Sequence, residues 1–281
     1  MSEHDIDDEL DGPPPFAPGE PVAPGYPVVE LLRRGEDLDV YDVWSEEREC
    51  RCVAKTLRPD RIEKASARAR LLREGRLLLS LTHPHIVRAY ELQRGERPVL
   101  VLETLPGETL AHLIERDTDL GPAEIAHLGL HLCSAVGYMH RKGMLHLDLK
   151  PSNIVAASGL ARVLDLSIAR KPGKAPAGSG TVGYAAPEQE RGGVLGPPAD
   201  VWGIGVVLYE AATGEPAVDP SDDETETGAQ SPYAFVPPLP VRSHRQLPAS
   251  LAAIIDDCLQ ENPAARPSVA ALAKELTRFT E

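Results

Sequence analysis

The sequence predicts an α+β chain: a small β-rich part followed by a larger helical part. Three observations carry that expectation. Short apolar segments with strand character recur between Val28 and Glu103. After Gly107 the pattern turns helical. Apolar residues make up 42% and charged residues 26% of the 281, ordinary values for a chain that buries a sizeable core.

Taken in order, residues 1–12 are dense in Asp and Glu, and residues 13–27 carry seven prolines. Such a stretch buries too little to offset its ordering entropy, so residues 1–25 are expected to form a disordered acidic and Pro-rich tail. Strands are expected at Val28–Leu32, Leu38–Trp44 and Arg51–Leu57. A helix rich in Ala, Arg, Glu and Leu follows over about Ile62–Leu81. Two further strands, Ile86–Glu91 and Val99–Glu103, are joined by a turn at Gly95. Helices are then expected at Thr109–Glu115, Pro122–Lys142, Pro198–Ala212, Pro248–Leu259 and Val269–Phe279, with Pro122 at a helix start, where its missing N–H is harmless. Residues 215–247 read as a polar loop insertion whose acidic part is Asp219–Thr227.

The formal charge of −14 gives no electrostatic footprint for nucleic acid or an anionic membrane. Apolar stretches such as Gly203–Ala212 are too short to span a bilayer, and the N-terminus lacks the pattern of a secretory signal. The expectation is a cytoplasmic location, with no nucleic-acid partner and no direct membrane insertion. Cys50 and Cys52 sit two apart, on one face of a strand, without the further ligands of a tetrahedral metal site, so ordinary packing in a reducing compartment is expected.

The chemistry-bearing stretch is His146-Leu147-Asp148-Leu149-Lys150-Pro151-Ser152-Asn153. Asp165 follows twelve residues after Asn153 in Val163-Leu164-Asp165-Leu166-Ser167, and then comes Gly180-Thr181-Val182-Gly183-Tyr184-Ala185-Ala186-Pro187-Glu188. Further on stand Asp200-Val201-Trp202 and Arg266 within Asn262–Pro267; upstream, Cys52-Val53-Ala54-Lys55 precedes Glu74 by nineteen residues. This set resembles the bacterial, eukaryotic-like (Hanks-type) protein Ser/Thr kinases, over about Tyr26–Glu281. The resemblance implies a two-lobed protein-kinase-like fold, with a β-rich N-lobe over about 26–104 and a helical C-lobe over about 105–281.

It also implies transfer of the γ-phosphoryl of ATP to a protein Ser or Thr, with ATP and magnesium as cofactors, a protein substrate and room for a regulatory partner protein. By resemblance Asp148 accepts the proton of the attacking hydroxyl, Lys150 neutralises charge on the moving phosphoryl group, and Asn153 and Asp165 hold magnesium. Lys55, paired with Glu74, contacts the α- and β-phosphates. Val40, Val53 and Val155 surround the adenine, Glu103 and Leu105 belong to the linker that hydrogen-bonds it, and Gly35 is what remains of the phosphate-covering glycine loop. Glu188 pairs with Arg266, and Asp200 binds the backbone of the Asp148 loop.

Two departures stand out. The glycine loop reads Arg33-Arg34-Gly35-Glu36-Asp37-Leu38-Asp39-Val40, so only one glycine survives and two carboxylates are added near a polyanion. At about 4 Å such a clash costs on the order of 1 kcal/mol in a water-like and 4 kcal/mol in a surface-like dielectric; the expected relief is that the carboxylates point to solvent or that Arg33 or Arg34 compensates. Leu147 replaces the Arg that grips a phosphorylated activation segment (a non-RD pattern), so phosphorylation at Ser179 or Thr181 is expected to matter little. The alternative is a pseudokinase, a binding or scaffold module with little or no transfer. A small-molecule kinase is disfavoured by Lys150 and the activation-segment motif.

Overall fold

The computed structural model describes residues 12–116, 120–218 and 236–280. The chain divides into two compact units, the first ending at Pro106 and omitting residues 83–86, the second formed by His83–Ile86 and everything from Gly107 onward.

Among its described residues the first unit holds a six-stranded antiparallel sheet and one α-helix, which follows the fourth strand; numbered along the chain, the strands lie in the order 1-2-3-4-6-5. Its strands are β1 Pro21–Ala23, β2 Tyr26–Arg34, β3 Leu38–Ser45, β4 Cys50–Leu57, β5 Ala89–Gln93 and β6 Val99–Glu103. Alternation along β3 and β4 puts Tyr41, Val43, Cys52 and Ala54 into an apolar core with Val28, Val99 and Val101. The opposite face carries Val40 beside Lys55 and Asp42 beside Val53, as the β3–β4 register dictates. The Cys50 and Cys52 thiols are 4.0 Å apart and unbridged. Helix α1, Ala65–Ser80, is built from strong helix formers and buries Ala67, Leu71, Glu74, Gly75 and Leu78 along one stripe. Gly75 lets the Leu92 side chain of β5 approach closely, since a Cβ there would come within 2.8 Å of its Cδ1 and make it shift.

The expected disordered tail is corrected over residues 12–25. β1 pairs with β2, Val22 and Ala23 enter the core, and Phe16 packs edge-on against Tyr41 with ring centroids 5.9 Å apart. The Phe16 N–H donates to the Tyr41 hydroxyl at 3.1 Å, and Arg97 lies over the Phe16 ring. Proline at the start of an edge strand is compatible with a sheet. Composition missed this because three apolar side chains, Phe16, Val22 and Ala23, at the right places outweigh the prolines around them. Residues 1–11 lie outside the described part.

In the second unit, α3 (Pro122–Arg141) and α5 (Pro197–Thr213) form the centre, with α7 (Ala249–Cys258) and α8 (Val269–Leu276) packed on them. The smaller elements are β7 Glu108–Thr109, α2 Leu110–Glu115, β8 Ile154–Ala157, β9 Leu160–Val163, β10 Gly173–Ala175, α4 Pro187–Arg191, β11 Gly193–Leu195 and α6 Val241–His244. α5 is apolar nearly all round and is buried from Ala199 to Tyr209. Two boundaries differ from expectation. Ile86 bridges Val163 of the second unit, and β5 starts only at Ala89. The expected 215–247 loop contains α6, anchored by the buried Val241, whose N–H donates to Asp256 at 3.0 Å; the acidic part Asp219–Thr227 lies outside the described residues. Among the described residues no helix is long and apolar enough to cross a membrane.

Candidate catalytic site

The segment Leu145–Asn153 follows α3 and is held from a distance in sequence. Asp200, on the first turn of α5 and 1% exposed, accepts from the His146 N–H at 2.9 Å and the Leu147 N–H at 2.7 Å. Its Oδ2 also meets His140 Nε2 at 2.7 Å. Two backbone donors and an imidazole therefore satisfy a carboxylate buried in an apolar helix. His146 is fully buried, and its Nδ1 accepts the Asp148 N–H at 3.2 Å. Burial pushes its pKa down, against the pull of Asp200 and other nearby carboxylates.

Leu147 adopts φ +68°, in the left-handed region that bulky residues avoid. Both of its peptide groups are fixed: its N–H by Asp200 and its carbonyl by Gln189, whose Nε2 donates at 2.9 Å. The strained residue is thus held on both sides directly before Asp148, which fixes the backbone from which the Asp148 side chain leaves.

Asp148 sits in a net of four groups. The Thr181 hydroxyl donates to Oδ1 at 2.6 Å, Asn153 Nδ2 donates to Oδ2 at 2.9 Å, and Lys150 Nζ stands 3.4 Å from Oδ2 while donating to the Thr181 hydroxyl at 2.7 Å. The carboxylate side chain keeps 13% exposure. Two oxygens offer about four acceptor positions, so these bonds leave capacity for a further donor. Asn153 also bonds the Asp148 carbonyl at 2.9 Å, again through Nδ2, so both contacts spare its amide oxygen. The Leu164 N–H donates to the Asn153 carbonyl at 2.9 Å, which ties the Asp165 loop to the Asp148 loop. 

That Leu164–Asn153 bond continues the β8–β9 pairing by one step. Asp165 in turn accepts the Ser167 N–H at 2.7 Å. A carboxylate from Asp165 and an amide oxygen from Asn153 are the hard donors magnesium prefers, and magnesium completes its shell with water and phosphate oxygens rather than an all-protein cage. The donor set fits that ion.

The activation segment is ordered over its described length. β10, within the segment, pairs with β11, which follows α4 beyond the segment's end. Gln189 is 2% exposed and was not singled out by the sequence motifs; its Nε2 bonds the carbonyls of both Leu147 and Ser179, the latter at 2.8 Å. Arg266 grips Glu188 with two parallel bonds of 2.7 and 2.8 Å, and also reaches the carbonyls of Gln260, Glu261 and Pro198. The Glu188–Arg266 and Asp200–backbone contacts are those expected. The Thr181 hydroxyl, not assigned a role from the sequence, is committed to Asp148 and Lys150 and so is part of the constellation.

In the first unit, Lys55 Nζ contacts Glu74 Oε1 at 2.8 Å, with Glu74 fully buried on α1. The sheet register sets Val40 directly beside Lys55, and Val53 lies two residues along the same face. Glu103 ends β6, its N–H donating to the Arg88 carbonyl at 2.9 Å, and Leu105 is half-buried in the loop beyond. In the second unit Val155 lies on β8, opposite Thr109 of β7. Gly35 closes the β2–β3 turn, its N–H donating to the Leu38 carbonyl at 2.8 Å. Neither Arg33 nor Arg34 compensates the acidic turn as expected. Arg34 is buried and turned to Asp39 at 3.4 Å and the Pro13 carbonyl at 2.6 Å. The turn's carboxylates meet Lys64 instead.

Comparison with known families matches residues 26–276 to the protein kinase domain. The chain is 31% identical over 232 residues to the serine/threonine-protein kinase PknB of Mycobacterium leprae, covering 78% of this chain and 37% of that protein. It is 32% identical over 242 residues to the serine/threonine-protein kinase PkaA of Streptomyces coelicolor, covering 81% and 42%. It thus spans about two fifths of the length of these relatives. Among solved structures, the PknI kinase domain of Mycobacterium tuberculosis superposes with a TM-score of 0.73 over 94% of this chain and 99% of that one, at 23% identity, which speaks to the shared two-lobed fold. With the family match extending over most of its length, the chain belongs to the protein kinase domain family.

Proposed function

We propose that the chain is an ATP-dependent protein serine/threonine kinase whose activation segment is held in its working shape without a phosphate. The observation that carries the reading is the net around Asp148, which joins Lys150, Asn153 and Thr181 through bonds of 2.6 to 2.9 Å. In this reading Asp148 accepts the proton of the substrate Ser or Thr hydroxyl as its oxygen attacks the γ-phosphoryl group. Its orientation is fixed by Thr181 and Asn153, so little reorganisation is needed during the step. Lys150, already beside Asp148, offers positive charge to the transferred group. Lys55, oriented by Glu74, contacts the α- and β-phosphates, while Gly35, Val40, Val53, Glu103, Leu105 and Val155 take the rest of the nucleotide. Asn153 and Asp165 hold magnesium, which when bound offsets charge on the phosphate oxygens. The tie from Gln189 to Leu147 and Ser179 stands where an Arg–phosphate clamp would otherwise order the segment. A regulatory partner protein acting on this pre-formed arrangement, and a cytoplasmic setting, accord with the reading.

The test is incubation of the purified chain with radiolabelled ATP and magnesium, beside an Asp148→Asn variant. The expected result is label on Ser or Thr with the wild type and about a thousandfold less with the variant, in the range of a lost general base. Absence of label while ATP and magnesium still raise the melting temperature would replace this reading by a nucleotide-binding pseudokinase.

A further inference from the structure

The β2–β3 turn keeps only Gly35 of its expected glycines, yet side chains of the segment after β4 tie it down. Lys64 Nζ lies 3.1 Å from Glu36 Oε1 and 2.7 Å from Asp37 Oδ1. The Arg58 N–H donates to the Asp37 carbonyl at 3.0 Å, and its guanidinium to the Gly35 carbonyl at 3.2 Å. Arg61 Nε donates to the Glu36 carbonyl at 3.3 Å. Arg58 also meets Asp60 at 3.0 Å. Three carboxylates (Glu36, Asp37 and Asp60) therefore face four cations (Arg58, Arg61, Lys64 and Arg70, the last 3.9 Å from Asp37), so the negative charge of the turn is offset.

Position makes this balance matter. In the β3–β4 register Leu38 pairs with Leu57, and Val40 with Lys55. The turn thus begins two residues, about 7 Å, along the hairpin from the lysine assigned to the phosphates. Lys64 immediately precedes α1, the helix that carries Glu74 to Lys55. Lys64, at 2.7 Å from Asp37, therefore links the turn to the helix that orients Lys55, and Arg70 on α1 adds a longer contact of 3.9 Å to the same carboxylate.

We propose that Lys64 is a positioning residue for nucleotide binding: it clamps the 35–37 turn to the start of α1 and cancels the turn's carboxylates, so that a triphosphate meets a fixed, neutral turn. The inference rests on the nucleotide-binding part of the reading above. Flexible glycines approach phosphates through mobile backbone; here a charge clamp sets the turn instead.

The experiment measures the Kd of MgATP for the intact chain by calorimetry, with the unliganded melting temperature as a check on folding. Lys64→Glu is expected to weaken binding about tenfold, and Lys64→Gln less, in the same direction. Lys64→Arg should stay within about twofold of wild type. The triple variant Glu36→Gln, Asp37→Asn, Lys64→Gln should recover to within about threefold, a rescue that a purely structural role for Lys64 would not give. The Lys64→Glu defect should shrink at high salt, where charges this exposed are screened. An unchanged Kd in Lys64→Glu, or a triple variant no better than Lys64→Gln, would overturn the proposal. Normal binding with no phosphoryl transfer would defeat the kinase reading and leave the Lys64 comparison readable; no binding by the wild type would overturn both.

Discussion

The Asp148 loop and the β2–β3 turn treat the same problem, holding charged groups in place, in opposite ways. The Asp148 loop keeps its motif, and its side chains are fixed by bonds from partners far along the chain: Asp200 from 54 residues away, Thr181 from 33, Gln189 from 42. The turn has lost its motif, and it is fixed by cations from a neighbouring segment. The loop is half-buried or buried, so each of its bonds is shielded; the Lys64 side chain is 38% exposed, so its pairs are individually weak and act as a group. The difference teaches that a motif can be kept by burial or replaced by a charge network, with different sensitivity to substitution and to salt.

The largest expected effect lies on the buried side of that contrast. Arg266 has no exposed side-chain surface, so Glu188→Ala leaves a buried, unpaired guanidinium. Loss of one partner of a buried pair costs roughly 3–5 kcal/mol. The melting temperature should fall on the order of 10 °C, whereas Lys64→Gln should move it by less than about 2 °C. Equal shifts would erase the distinction between the two regions.

Next is Thr181. Thr181→Ala removes the hydroxyl joining Lys150 to Asp148 and should lower kcat about a hundredfold with little change in KM for ATP. Ser179→Ala, whose hydroxyl only caps the Pro176 carbonyl at 2.8 Å, should leave the rate within about twofold. A large loss in Ser179→Ala would point to control by phosphorylation.

A smaller effect is expected at Gln189. Gln189→Ala should lower kcat about tenfold, and Gln189→Glu, which keeps the shape but loses the two donated bonds, should lower it comparably. If Gln189→Glu retains full rate, the tie from Leu147 to Ser179 does not set the activation segment.

The smallest effect is a dependence on pH. Burial lowers the pKa of His146 and His83, and takes His131 down from 6.5 to about 4, with the neighbouring His85 and His127 adding to the shift. These imidazoles are neutral in the folded chain, while the unfolded chain binds protons near pH 6.5. Their contribution to stability is therefore full above pH 6.5 and is lost as pH falls toward 4. Denaturant melts at pH 7.5, 6 and 5 should show falling stability, and His131→Gln should flatten that fall. A profile that His131→Gln leaves unaltered would remove His131 from the account.

Much of the site was legible in linear sequence because the protein kinase motifs place their polar residues within a few positions of one another. Asp148, Lys150 and Asn153 lie in one loop, and the structure brings them together. The pairing of Lys55 with Glu74 could be read from a strand followed by a helix at the right spacing. The ordered stretch 12–25 was hidden, since a count of prolines does not register that Phe16, Val22 and Ala23 face an apolar sheet. Gln189 was hidden too: a neutral side chain beside a known motif carries no charge or spacing signal, and its worth comes from two carbonyls at distant positions.

What the sequence determined by itself is therefore the order of the main strands and longer helices, the family and the identities of the groups suited to chemistry, because these follow from local periodicity and short spacings. The tertiary structure alone decided which partners satisfy those groups. It turned Arg34 inward to Asp39 and gave Glu36 and Asp37 to Lys64, because a charge chooses its partner by distance and burial rather than by nearness along the chain.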